Sequence, residues 1–230
     1  MHLDLKKQNQ ELSILSALEI LEWGVKEFED HFAITTSFGI QSSVLLHILS
    51  QIKNYQSIKV FWIDTGYLPA ETYQYAEELI NTLSINIKVI QSEISPARME
   101  ALFGKLWETK SKEDLEKYHL MRKINPLDNA LTSYGVECWA SGVRSEQTLQ
   151  RKDMNYIEKI RTRYSLRPIL KWTKKEIYYY MEKHNLPQHP LFEKGYSTVG
   201  DWHSSSANTE TSTDRDTRFN GVSQECGIHL

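Results

Sequence analysis

Cysteine is scarce in this chain, with two residues in 230, Cys138 and Cys226. Two thiols cannot build a disulfide framework, which excludes a stapled extracellular scaffold. They point instead to a reducing compartment, and a cytoplasmic location is expected. No apolar run approaches the roughly 20 residues that cross a bilayer, so no membrane partner is expected. The first ten residues are polar and lack the apolar stretch of a signal peptide. Positive charge is not in excess: the net charge is −3, and no recognisable nucleic-acid motif accompanies it, which argues against a nucleic-acid partner. No internal repeat is visible.

What is present is a globular composition, 40% apolar and 25% charged. The length suits one large domain, or one domain and a tail. Charge is unevenly placed. Arg144 to Lys175 holds ten Lys/Arg and three Asp/Glu, a local +7 against −10 elsewhere. A basic segment in an acidic protein is either a solvated face or a seat for a small anion.

Hydrophobic period gives the elements. Glu11 to Glu29 has helical spacing, and Phe32 to Thr36 is a short β-prone run. A glycine turn follows, then a helix from Gln41 to about Gln51. Ile58 to Ile63 is apolar at strand length, as in a buried parallel strand. Pro69 opens a helix to about Leu83, and Ile85 to Ile90 is a further strand. Strands alternating with helices at this spacing imply a doubly wound, mostly parallel α/β sheet with helices on both faces. Several short helices are expected over 95–134, a strand over Val136 to Ala140, and one or two strands between Tyr156 and Leu170. A helix spans Thr173 to His184, with Thr173 as its N-cap. The expected organisation is a nucleotide-binding domain over 1–202 and a mobile tail over 203–230, rich in Ser, Thr and acidic residues.

Ser37-Phe38-Gly39-Ile40-Gln41-Ser42-Ser43 lies between the first strand and a helix. Such a turn aims backbone N–H groups and a positive helix end at one point. Gly39 allows a tight turn and close approach, and Ser37, Ser42 and Ser43 supply hydroxyls. Read alone, the loop is equally a serine-rich helix start. It is not a Walker A loop, since no Gly-Lys-Ser/Thr follows. Asp64 closes the next strand at the same edge of the sheet. Arg144 and Arg151 follow the strand at Val136 to Ala140, within reach of that crevice. Cys138 lies within that strand and reads as a packed residue. Cys226 lies in a polar segment beside Gly227, where a thiol is a liability unless used.

These segments together resemble the phosphoadenylyl-sulfate (PAPS) reductases of assimilatory sulfate reduction. The matching stretches are SFGIQSS (37–43), DTGYLPAETY (64–73), KINPLDNAL (123–131), 142–151, HPLFEKGYSTVGD (189–201) and ECGIH (225–229), in the family's order. The resemblance implies an adenine nucleotide alpha hydrolase-like sheet of the PP-loop type. It implies reduction of PAPS to sulfite and adenosine 3′,5′-bisphosphate, with Cys226 as nucleophile. Lys123, Arg144, Arg215 and Arg218 would face the phosphosulfate, although Arg215 matches only part of the family. His189 would line the site. Thioredoxin or glutaredoxin would serve as reductant, and a homodimer is compatible with the sequence.

The sister group acts on adenylyl sulfate (APS), often with a [4Fe–4S] cluster on a Cys-Cys pair and a Cys-x-x-Cys pair. Here those places hold Tyr118 and His119, and Asp201 to Ser204. Two cysteines cannot supply four thiolates to a cluster within one chain, so no cluster or metal is expected. The alternatives are a cluster-free APS reductase and a non-catalytic nucleotide sensor, for which Cys226 has no use. A PP-loop ATP pyrophosphatase would want an aspartate where Gln41 stands.

Overall fold

Strand-length apolar runs between polar turns decide the centre of the molecule. In the computed structural model, which describes residues 3–208 and Ile228, Phe32–Thr36 (β1) and Lys59–Asp64 (β2) bury consecutive residues rather than alternate ones. That is the pattern of strands covered on both faces. With Ile87–Gln91 (β3), Cys138–Ala140 (β4), Ile157–Ile160 (β5) and Arg163–Leu166 (β6) they form one sheet of order β3-β2-β1-β4-β6-β5. Every neighbouring pair is parallel except the β5–β6 hairpin. β1 pairs with β2 from Ala33↔Lys59 to Thr36↔Trp62, and with β4 from Phe32↔Cys138 to Ile34↔Ala140. The strand order therefore reverses between β1 and β4, and their carboxyl ends open a crevice.

Successive residues of a strand point to opposite faces. Ile34, Val60, Cys138 and Leu166 pack on one side with residues of Ala17–Phe28 (α2), Ser42–Ser50 (α3), Ala70–Leu83 (α4) and Lys174–Lys183 (α8). Ala33, Phe61 and Trp139 pack on the other with Leu127 and Leu131 of Asn125–Ser133 (α7). The expected helices on both faces are present. Cys138 is fully buried, as expected, and burial pushes its thiol well up.

The single helix expected over 11–29 is instead two, Leu5–Leu12 (α1) and α2. Ser16 Oγ accepts from the Glu19 N–H, and the Glu19 carboxylate accepts from the Ser16 N–H at 2.7 Å. This capping box starts a new helix inside a continuous apolar period. The same device starts α8, where Thr173 and Glu176 exchange these bonds. The segment 95–134 is helical as expected: Pro96–Phe103 (α5), Lys112–His119 (α6), then a five-residue π turn, Leu120–Ile124, running into α7. Pro126 gives the reason. It has no N–H for the Arg122 carbonyl and its ring crowds that oxygen. The Asn125 N–H bonds instead to the Leu120 carbonyl, five residues back.

The folded segment continues past 202. His203 stacks on Trp107 with centroids 4.0 Å apart, and the Asn208 N–H bonds to the Gly195 carbonyl at 2.9 Å. Pro190–Glu193 (α9) precedes it. Among the described residues no helix is long and apolar enough to cross a membrane.

Candidate active site

The crevice at the β1/β4 switch point is a cavity of about 240 Å³. Its floor is the turn from β1 into α3. Ser37, Gly39 and Ser42 line it, along with Gln41 at the amino end of α3. The left-handed residue of this turn is Phe38, with φ 46, and not Gly39. Phe38 is held there by packing: its ring is fully buried, edge-on to Trp62 at 4.9 Å. A non-glycine residue in that region is costly and persists only where its surroundings dictate it. Gly39 lines the cavity, and a Cβ there would meet the Val199 carbonyl oxygen at 3.4 Å, an ordinary van der Waals contact. Ser43 does not line the cavity. It lies one residue further along α3 and is fully buried among core side chains.

Asp64 is also not in the wall. Its Oδ1 accepts from the Gly66 N–H at 2.8 Å and the Tyr73 hydroxyl at 2.7 Å, and its Oδ2 accepts from Gln91 Nε2 at 2.7 Å. Both oxygens are used to build the turn after β2, and Thr65 is the residue that reaches the cavity.

Arg144 and Arg151 do reach it, on the loop that follows β4. Arg144 is 3% exposed; its guanidinium donates to the Glu146 carboxylate, to the Trp172 carbonyl at 3.3 Å and to Gln41 Oε1 at 2.6 Å. Gln147 Oε1 accepts from the Arg144 N–H at 3.0 Å and from Arg151 Nη1 at 2.5 Å. One amide thus fixes both the loop and the second guanidinium. Bidentate-capable cations held in this way suit phosphate.

Lys123 comes from the π turn, where the widened helix presents it to the same cavity. Such turns recur at functional sites. Its ammonium lies 2.5 Å from Asp201 Oδ2. Asp201 is fully buried and also accepts from Thr65 Oγ1 at 2.5 Å and the Tyr118 hydroxyl at 3.0 Å. Burial alone would raise its carboxyl; the Lys123 charge and the hydrogen bonds from Lys123 and Thr65 win and hold it well below the carboxylate range.

His189 is placed elsewhere. It is fully buried at the start of α9 and absent from the cavity wall. Its Nδ1 accepts from the Leu191 N–H at 3.1 Å, so Nε2 carries the proton and donates to Thr72 Oγ1 at 3.0 Å. Burial lowers it to about 4, with Glu71 opposing slightly. It is a cap that ties α9 to α4. Cys226, Arg215 and Arg218 lie outside the described residues. Ile228, two positions after Cys226, is described: it packs with the Leu127 and Trp139 cluster and lines the cavity.

Gln41, Thr65, Gln147 and Asp201 were not singled out by sequence as site residues. Their local settings read as turns or helix ends. All four lie inside the matched stretches 37–43, 64–73, 142–151 and 189–201, which is the signal that could have found them.

A mostly parallel sheet of this order, with a serine–glycine loop feeding a helix at its switch point, is an adenine nucleotide alpha hydrolase-like fold of the PP-loop type. The FMN adenylyltransferase of Candida glabrata superposes with a TM-score of 0.63 at 15% identity, covering 90% of this chain and 68% of that one. The PAPS reductase of Candida auris, solved with phosphate, superposes with a TM-score of 0.77 at 24% identity, covering 90% and 99%. At those identities the likeness is one of fold. Sequence goes further. The phosphoadenosine phosphosulfate reductase domain matches residues 31–207. The phosphoadenosine 5′-phosphosulfate reductase of a Synechococcus species is 51% identical over 223 residues, 96% of this chain and 95% of that one. Its Synechocystis counterpart is 45% identical over 229 residues, 99% and 91%. The chain belongs to the phosphoadenosine phosphosulfate reductase family.

Proposed function

We propose that this protein reduces PAPS to sulfite and adenosine 3′,5′-bisphosphate, feeding sulfate assimilation and cysteine biosynthesis. One observation carries the reading beyond family membership. Lys123, Arg144 and Arg151 converge on one cavity that Ile228 also lines, and Ile228 stands two residues beyond Cys226. Two residues of chain span at most about 7 Å.

The chemistry follows from charge. An anionic thiolate attacking a polyanion needs cations to offset repulsion and to hold the leaving phosphate. The Cys226 thiolate attacks the sulfonate sulfur, and the bond from sulfur to the phosphate oxygen breaks. Adenosine 3′,5′-bisphosphate leaves with that electron pair, and Cys226 carries an S-sulfonate. A thiolate of a dithiol protein then attacks Cys226 Sγ and expels sulfite with the electron pair of the S–S bond. The partner's second thiol resolves the mixed disulfide and returns the Cys226 thiolate. Two electrons enter from the dithiol. Cys138 is buried in β4 and is not available for the second step. Thioredoxin or glutaredoxin supplies it.

The test is sulfite release from PAPS and, separately, from APS, with reduced thioredoxin supplied. Strong preference for PAPS is expected. Preference for APS would keep the thiol chemistry and overturn the substrate. Sulfite from neither, with the nucleotide still bound, would overturn the activity.

A further inference from the structure

Lys123 and Asp201 are both in the cavity wall, with side chains 9% and 0% exposed. Taking two charges out of water costs several kcal/mol each, and an apolar pair of similar size stabilises a fold as well or better. A buried ion pair here is therefore poorly explained by stability. The lysine itself is a point charge on a four-carbon stem, and nothing in its chemistry fixes where the ammonium sits. The carboxylate is fixed. Thr65 holds Oδ1, and the Tyr118 hydroxyl shares Oδ2 with Lys123. Tyr118 is in turn bonded to His203 Nε2 at 3.1 Å, and the His203 ring lies flat on Trp107. The Trp202 N–H bonds to the Tyr67 carbonyl at 2.7 Å and pins the backbone beside Asp201. Both carboxylate oxygens are thus engaged, so the group anchors a cation without presenting a bare oxygen to an incoming anion.

We propose that Asp201 is a positioning residue for the reaction: anchored by Thr65 and Tyr118, it aims the Lys123 ammonium at the sulfonate end of the bound nucleotide. The proposal rests on the PAPS reading above. It makes Lys123 the group that touches substrate and Asp201 the group that acts through it. A misplacement of about 1 Å at a reacting centre can cost about 100-fold in rate, which sets the scale of what such a tether is worth.

The experiment is a double-mutant cycle on the full chain, with Asp201→Asn, Lys123→Met and the pair together. It reads kcat/KM for PAPS with thioredoxin as reductant, and the Kd of adenosine 3′,5′-bisphosphate by calorimetry. Asp201→Asn is expected to lower kcat/KM by roughly 10- to 100-fold. It should leave the Kd of the bisphosphate, which lacks the sulfonate, within about threefold. The double variant should be no worse than Lys123→Met alone, because the tether has nothing left to aim. Thr65→Val serves if Asp201→Asn fails to fold. It keeps both charges, frees one carboxylate oxygen, and should show a smaller loss that also vanishes in the Lys123→Met background. Unchanged kcat/KM in the folded variant, or losses that simply multiply in the double variant, would overturn the positioning role. Wild-type turnover is measured first: its absence overturns the PAPS reading and the proposal with it, whereas turnover with an unaffected Asp201→Asn overturns the proposal alone.

Discussion

At the residue scale, the cavity is built from side chains whose polar atoms are mostly committed to one another. Gln147 holds Arg151, Gln41 holds Arg144, and Asp201 holds Lys123. Preorganised cations of this kind stabilise charge that develops during reaction without moving to meet it. The thiol is a separate matter. Cys226→Ser is expected to abolish sulfite release while leaving nucleotide affinity nearly unchanged, as measured by sulfite assay and calorimetry; retained turnover would remove Cys226 as nucleophile. His189 belongs to stability instead. Its folded value of about 4 lies below the ordinary 6.5, so the folded state takes up that proton later than the unfolded chain. Its contribution is complete above about pH 7 and is lost as pH falls from about 6.5 to 4, by at most about 3 kcal/mol. His189→Asn keeps an N-cap acceptor and loses the Thr72 bond. It should be less stable at pH 7.5, with a flatter fall toward pH 5, in urea titrations at the two values. The place of His189 in the matched stretch 189–201 suggested that it lines the site, but a motif position could not show that both ring nitrogens are used within the fold.

At the scale of elements, local sequence devices decide boundaries that periodicity misses. Ser16 and Glu19 cut one apolar period into two helices, and Pro126 converts one helical turn to a π turn that carries Lys123. The same scale gives a test of packing against propensity. Gly24 sits inside α2, where alanine would favour the helix by about 1 kcal/mol. A Cβ there would lie 2.6 Å from Leu166 Cδ2 and 2.8 Å from Phe32 Cε2. Both neighbours are core residues that cannot swing away. Overpacking typically costs about 1–3 kcal/mol, so Gly24→Ala should be destabilising overall. A midpoint that rises in thermal or urea unfolding would show that the helix–sheet contact yields more easily than this packing implies.

At the scale of the whole molecule, an acidic chain sets three cations, Lys123, Arg144 and Arg151, in the wall of one opening, two of them from its basic segment. The net charge is −3, yet the segment from Arg144 to Lys175 carries +7. A field focused at a cleft speeds capture of an anionic substrate and is screened by salt, with a Debye length near 10 Å at about 0.1 M. KM for PAPS should therefore rise severalfold between about 0.05 and 0.5 M salt while kcat moves little; a KM indifferent to salt would mean that the basic segment is only a solvated face. The sequence by itself determined the fold class, the strand and helix alternation and the family, because hydrophobic period and motif order are local properties that survive without coordinates. It also marked Ser37, Gly39, Ser42, Lys123, Arg144 and Arg151, whose neighbours in the chain are part of their signal. Only the tertiary structure decided that Ser43, Asp64 and His189 turn away, and that Phe38 rather than Gly39 takes the left-handed turn. It alone joined Asp201 to Lys123 across 78 positions of chain. Burial and hydrogen-bond partners are set by what packs against a residue from distant segments, and that information is not written beside it.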